Sequence, residues 1–283
     1  MPIRDISDTA RWVAAYRALE SERPDALFAD PYARRLAGDR GMAIVETFRQ
    51  TKRMAAAIVI RTRALDEMVL EIIARERISL VLNLAAGLDT RPYRLALPSG
   101  LAWIEVDLPD LMAYKDQVLA GESPRCRLER RALDLSVGDA RAQLLSEISR
   151  RAQRILVMTE GLLMYLYPDQ VAELAREFRA TPAIVSWLFD QMSPRVRSLL
   201  TASDGNLLRA GGSELRFAPA EGTAFFQPLG WRERQYRATI DECRRLGRPM
   251  PGTWIWIVLS RFSRWIADEG RRAGGIVELR PGP

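Results

Sequence analysis

Four stretches of this sequence place groups capable of ligand chemistry directly after short apolar runs. The first is Asn83-Leu-Ala-Ala-Gly87-Leu-Asp89-Thr-Arg91, whose small residues let backbone amides approach a ligand closely. Asp107, twenty residues beyond Gly87, has the spacing of an acid that accepts the hydroxyls of a ribose, and Leu108 follows it. Asp134-Leu135 pairs an acceptor for an adenine amino group with an apolar flank for its ring. Glu160 interrupts the apolar run Ile155 to Tyr167, where an unpaired carboxylate is costly, and Tyr165 lies downstream. Taken singly, these are a tight turn, two helix caps and a buried ion pair. Together, at successive strand ends, they outline a cofactor-binding α/β domain.

The chemistry is bounded by what the chain lacks. It has no histidine, which excludes Ser-His-Asp and Cys-His catalysis and every histidine metal site. Proton transfer would fall to Glu, Asp, Tyr, Lys or Cys. Cys126 and Cys243 stand far apart without a CxxC partner, so neither a disulfide nor a zinc site is expected, and no metal is assigned. The net charge is +6, and Lys52 and Lys115 are the only lysines. Arginines are interspersed with acids from end to end, a pattern of solvated helix faces rather than of a nucleic-acid stripe. No apolar run of about 20 residues suggests a membrane span. The N-terminus lacks the apolar core of a signal peptide, giving a cytoplasmic expectation.

The elements that must position these groups follow from periodicity. Asp8 or Thr9 can cap a helix to about Glu20, with Trp12, Val13, Tyr16 and Leu19 on one face. Asp30-Pro31 opens a short helix through Leu36; Met42 to Ala57 and Ile58 to Ala74 continue with helical spacing. From Ile78 the pattern changes to strand-like runs at Ile78 to Leu84, Leu101 to Val106, Arg127 to Leu133, Arg154 to Thr159 and Ala183 to Phe189. The first reads as buried on both faces, and the others as similar. Helical segments lie between them at Pro92 to Leu97, Leu108 to Leu119, Asp139 to Arg150 and Pro168 to Arg179. Such alternation gives right-handed crossovers and a parallel sheet. Thr223 to Gln227 and Gly275 to Arg280 read as last strands, with helices at Trp231 to Leu246 and about Thr253 to Arg271 between them. Ser203 to Gly222 reads as a loop.

At Val81 to Leu95, with its Asn-Leu-small-Ala-Gly-Leu-Asp-Thr-Arg-Pro-Tyr-Arg-Leu core, the chain resembles the leucine carboxyl methyltransferase family, which includes polyketide carboxyl O-methyltransferases. Arg61-Thr-Arg63 with Asp66, Ile104 to Pro109 and Thr159 to Leu166 agree with it, as do Tyr16-Arg17-Ala18 and Phe28 to Tyr32. The resemblance covers roughly residues 9 to 190. It implies a Rossmann-like class I methyltransferase, an α/β fold with a mostly parallel seven-stranded sheet. It further implies an N-terminal helical lid (1–77), a cofactor-binding core (78–190) and a C-terminal part (191–283) that carries a helical insertion and shapes the acceptor pocket. The implied cofactor is S-adenosyl-L-methionine. Arg61 would pair with its carboxylate, with Asn83, Ala85, Gly87 and Asp89 around the methionine part. Asp107 and Leu108 would hold the ribose, and Asp134 and Leu135 the adenine. Glu160 would hold the amino group or face the substrate, with Tyr165 near the acceptor. Where many relatives have Gly-Ala-Gly, this chain has Ala85-Ala86-Gly87, and the extra methyl narrows the approach.

Methyl transfer is an in-line displacement that depends on alignment. A carboxylate acceptor, with a pKa of about 4, is already ionised at neutral pH; a phenol, at about 10, needs a base. A histidine-free chain therefore points to a small carboxylic acid that becomes a methyl ester, with Arg17 a candidate to orient it. Glu160, Tyr165 and Arg17 are the catalytic candidates. A phenol or alcohol acceptor remains the alternative, followed by a non-catalytic binding protein or a nucleotide-dependent oxidoreductase. The last would want G-x-G-x-x-G where this turn has a single glycine. Trp187, Phe189, Phe225, Phe226, Trp231, Trp254 and Trp256 could line an acceptor pocket or form core.

Overall fold

A computed structural model of the chain describes residues 6–47, 52–210, 214–250 and 270–283. Three helices come first: α1 (Ile6–Ser21), α2 (Ala33–Thr47) and α3 (Lys52–Glu76). Strands and helices then alternate as β1 (Leu80–Leu84), α4 (Arg91–Arg94), β2 (Ala102–Asp107), α5 (Pro109–Val118), β3 (Arg127–Ala132), α6 (Gly138–Arg151), β4 (Ile155–Thr159), α7 (Pro168–Arg179) and β5 (Ile184–Met192). The chain continues through α8 (Pro194–Ala210), β6 (Trp231–Ala238), α9 (Thr239–Arg245) and β7 (Gly274–Pro281).

These strands form one seven-stranded sheet in the order β3-β2-β1-β4-β5-β7-β6. The first five are mutually parallel, and β7 runs antiparallel to both of its neighbours. Strand order reverses between β1 and β4, so the crevice for a ligand opens at the carboxyl ends of those strands. Strands β1 and β4 are buried along their whole length, because helices cover both faces of the sheet. One core side packs Leu82, Val157 and Trp187 against Leu174 and Phe178 of α7. The other packs Val81 and Met158 against Leu65, Met68 and Ile72 of α3.

Several expectations need correcting. Arg127 to Leu133 forms a strand, but β3 is a half-exposed edge rather than one buried on both faces. Its Arg and Glu side chains suit an edge that must not pair with another chain. Trp231 to Leu246 is not one helix, since Trp231–Ala238 is the opposite edge strand and only Thr239–Arg245 is helical. Its charged residues read as a helix face, yet they are the guard of that edge. Thr223 to Gln227 is a 3-10 segment within Gly222–Leu229, not a strand. There Phe226 is fully buried against Trp187 and Phe225 packs edge-on to Phe217, while Pro228 would deny a ladder its donor. Ser203 to Gly222 is loop only in part, because α8 continues to Ala210. The helix after Asp30-Pro31 begins at Ala33 and passes a break at Gly38 (φ 57°). The third helix crosses Ala57 and Ile58 without interruption. Leu19 lies exposed, whereas Trp12 and Tyr16 are buried. The segment Thr253 to Arg271 lies almost wholly outside the described residues.

Two local features set the geometry of the crevice. Ala85, at the end of β1, has φ 53°, a left-handed conformation that costs a residue with a Cβ about 1–2 kcal/mol. Beneath the crevice, Glu105 and Lys115 are both completely buried, with Lys115 Nζ 2.8 Å from Glu105 Oε2 and Arg130 Nε 2.9 Å from the same oxygen. Burial pushes the Glu105 carboxyl up, and the two cations offset only part of this rise. The pair pins α5 against β2 and thereby frames Asp107. Ala85→Gly should raise stability by roughly 0.5–1 kcal/mol in urea unfolding, relief of strain exceeding the added chain entropy. A loss of stability would show that Ala85 is not strained. Glu105→Gln strips Lys115 of its counter-ion and should cost about 3–5 kcal/mol, while the double change Glu105→Leu with Lys115→Met should cost far less. Additive losses would dissolve the claim of coupling.

Candidate active site

The turn after β1 is held from two sides. Gly87 N donates to Asp107 Oδ2 at 2.6 Å, and Leu108 N donates to Asp107 Oδ1 at 2.8 Å, so this carboxylate joins the turn to the start of α5. Burial nevertheless pushes the Asp107 carboxyl up, the two amides offsetting only part of it. Gly87 has φ 50°, and a Cβ there would reach Ala10 of α1 at 3.6 Å, so a larger side chain would crowd the space between helix and turn. Asn83 Nδ2 donates to Asp89 Oδ2 (2.9 Å), and Asp89 Oδ1 accepts Arg91 N (2.9 Å). Against the cost of burial, Arg91 and Lys115 hold the Asp89 carboxyl far below the usual carboxylate range.

Arg91 leads outward into a buried ionic network. Its Nε donates to Asp66 Oδ1 of α3 (2.8 Å) and its Nη1 to both Asp89 (3.0 Å) and Glu160 Oε2 (2.8 Å). Glu160 Oε1 lies 2.9 Å from Arg61 Nε, and Arg61 Nη1 donates to Asp190 Oδ2 at 3.0 Å. Asp190 also accepts Gly161 N at 2.6 Å. Arg61 therefore pairs with acids at two strand ends, not with neighbouring Asp66 or Glu67; Asp66 is engaged by Arg91 and Arg94. Burial works to raise the Glu160 carboxyl, but Arg91 and Arg61 outweigh it and hold the group below the usual range. Burial pushes the Tyr165 phenol up, with Arg61 offsetting part of the shift.

Arg17 sits in the same wall but is already committed. Its Nε donates to Asp30 (2.9 Å) and its Nη2 to the Leu88 carbonyl (2.6 Å), while Thr90 Oγ1 donates to the same Asp30 oxygen (2.6 Å). Its visible work is to bind the first helices to the turn. At the third strand end, Asp134 Oδ1 accepts Ser136 N (2.8 Å), and this hydrogen bond holds its carboxyl low. The Leu135 carbonyl accepts Arg141 Nη1 at 2.6 Å.

All of the catalytic and cofactor-binding candidates named from the sequence line one cavity of about 1690 Å³. That exceeds the roughly 300–1,000 Å³ typical of a single small ligand and leaves room for two. Trp187, Phe189, Phe226 and Trp231 are buried core, stacked edge-on or tilted at 5.0–5.6 Å, and do not line it. Phe225 packs against that core; Trp254 and Trp256 lie outside the described residues. Reading the first four strand ends misses Asp190, although it stands directly after the fifth apolar run, where the same rule would have found it. Arg91 belongs to the quoted turn, but nothing in the sequence says that three acids converge on it. No group of acids and cysteines suited to a metal occurs among the described residues, and none of their helices is long and apolar enough to cross a membrane.

Comparison with known proteins agrees with this geometry. The sequence profile described as leucine carboxyl methyltransferase matches residues 10–179. A protein of Parafrankia sp., provisionally named an S-adenosyl-L-methionine-dependent methyltransferase, is 32% identical over 270 residues, spanning 87% of this chain and 83% of its own length. One from Mycobacteroides abscessus with the same provisional name is 38% identical over 188 residues, 62% of this chain and 59% of the relative. Among solved structures, a provisionally assigned methyltransferase from Thermobifida fusca superposes with a TM-score of 0.59 at 16% identity, over 99% of this chain and 96% of the other. That likeness speaks to the fold alone. With the family profile matching residues 10–179 and a relative 32% identical across 87% of the chain, the chain belongs to the leucine carboxyl methyltransferase family.

Proposed function

We propose that this S-adenosylmethionine-dependent methyltransferase methylates a carboxylate oxygen of a small molecule, giving a methyl ester. The observation that carries the reading is the state of the acids and the phenol at the site. There is no histidine. Glu160, which lines the cavity, has both oxygens engaged by guanidiniums and a carboxyl held below its usual range, which makes it a poor base. The Tyr165 phenol is pushed up. An acceptor that arrives ionised needs none of them.

The residues present fit the cofactor. The strained, small-residue turn from Ala85 to Gly87 leaves backbone open to a ligand, and carboxylates stand at the second and third strand ends. Bound there, S-adenosylmethionine supplies a methyl group on a cationic sulfur, already activated for displacement. Asp107 with Leu108 is assigned to the ribose, Asp134 and Leu135 to the adenine, and Asn83, Ala85, Gly87 and Asp89 to the walls of the methionine part. Arg61 would hold the cofactor carboxylate while it remains near Glu160 and Asp190, and Glu160, still held by Arg91, would accept the amino group. Asp30, Asp66, Asp89, Glu160 and Asp190 face Arg17, Arg61, Arg91 and Arg94, a formal excess of one negative charge that suits a cation. Tyr165 lies on the acceptor side, and the protein's main contribution is alignment and exclusion of water.

Asp107→Ala should weaken S-adenosylmethionine binding by about 1–3 kcal/mol in calorimetric titration. Unchanged affinity would return Asp107 to the role of helix cap. Because burial raises its carboxyl and only the ionised form accepts both hydroxyls, affinity should fall as pH drops through that raised pKa, above the pH of an ordinary aspartate. In the Asp107→Ala protein this acid limb should vanish. With radiolabelled cofactor and a pool of small acids, mild base should release the transferred label, whereas a base-stable product would mean a hydroxyl acceptor.

A further inference from the structure

We infer that Arg216 is the residue that grips the acceptor's carboxylate, and that the acceptor is a carboxylic acid with an extended apolar body; this rests on the ester-forming reading above. Arg17, Arg61, Arg91, Arg94 and Arg141 all line the cavity, and each is paired with at least one carboxylate of the protein. Arg195 and Arg272 line it too, but both are exposed, where water screens their charge. Arg216 is the most weakly held of the partly buried ones: its Nε is sealed from solvent without an acceptor, and its one carboxylate contact, from Nη2 to Glu214 at 3.5 Å, is to a largely exposed side chain. A partly desolvated guanidinium with an idle donor is destabilising until an acceptor completes it.

Its position is also fixed. Arg216 N and Phe217 N both donate to the Met164 carbonyl (2.7 and 3.2 Å), Arg216 Nη1 donates to the Tyr165 carbonyl (3.3 Å), and the guanidinium lies 4.4 Å from the centre of the Tyr167 ring. Arg197 Nη1 in turn donates to the Arg216 carbonyl at 2.8 Å. The guanidinium is thus docked on the short turn that carries Tyr165, five residues beyond Glu160, on the same cavity wall. Among the polar groups of the same cavity, its lining also includes the aliphatic Met164, Met192, Val196, Leu200 and Leu215. Unbranched methionines adapt to irregular apolar shapes, so this part suits a flexible hydrocarbon better than a rigid polar body. A half-buried guanidinium and aliphatic side chains in one cavity fit a lipophilic acid.

The test uses the full chain, with decanoate as probe and decanol as its uncharged counterpart, titrated calorimetrically in the presence of S-adenosylhomocysteine. Arg216→Gln should raise the Kd for decanoate by about tenfold or more, leaving the Kd for decanol and for S-adenosylhomocysteine unchanged. Arg216→Lys, which keeps the charge without the fork, should fall between the two. Acetate, lacking the apolar body, should bind far more weakly than decanoate. Equal decanoate affinity in wild type and Arg216→Gln would overturn the assignment of Arg216. A wild-type protein that binds S-adenosylhomocysteine but not decanoate would overturn the acceptor class while leaving the cofactor site standing. Failure to bind S-adenosylhomocysteine at all would strike at the ester-forming reading and take this inference with it.

Discussion

The structure depends on keeping one buried cation neutralised. Arg91 is almost wholly withdrawn from solvent, and its guanidinium is shared by Asp66 of the third helix, Asp89 of the turn after β1 and Glu160 after β4. Removing any one of those acids exposes the others to an imbalance that a low-dielectric interior penalises heavily. Three chain segments far apart in sequence are thereby held in a fixed relation at the crevice. Through Glu160 and Arg61 the same network reaches Asp190 at the end of β5, and through Arg94 and Asp30 it reaches Arg17 of the first helix. The network therefore joins α1, the segment before α2, α3, α4 and the ends of three strands. Asp107 belongs to a different support, its turn amides above and the Glu105–Lys115 pair below.

That arrangement narrows the chemistry. Charges committed to one another hold geometry well and move protons poorly. Glu160 stays ionised because two guanidiniums keep it so, and the same contacts occupy the lone pairs a base would use. A reaction that needs alignment rather than proton transfer is the one such a site performs best. Ala85 shows the opposite economy, a strained backbone kept where relief would be simple, in the turn that lines the cavity.

Much of this was legible in the residues. Continuous apolar runs gave the central strands because strands covered on both faces must be apolar throughout, and the acids after them marked the crevice because ligands bind at strand ends. The outer parts were harder to read for physical reasons. Edge strands β3 and β6 carry charge to avoid pairing, which erases the alternation that reveals a strand and imitates a helix face. Phe225 and Phe226 look strand-like, yet their packing against Phe217 and Trp187 closes a 3-10 segment instead. In the site, residue types were visible but partners were not. Arg61 could as well have met Asp66 or Glu67, five and six positions away on its own helix; only the fold brings Glu160 and Asp190 to it from much farther along the chain.

The pH dependence of kcat, measured with saturating cofactor and acceptor, separates an acceptor that arrives ionised from one that must be deprotonated in place. For a carboxylate, kcat should be level from about pH 6 to pH 9, since the acceptor has lost its proton below that range and no protein base enters the step. A kcat that climbs tenfold per pH unit toward a pKa of about 9–10 would contradict transfer to a carboxylate and place a phenol in the site.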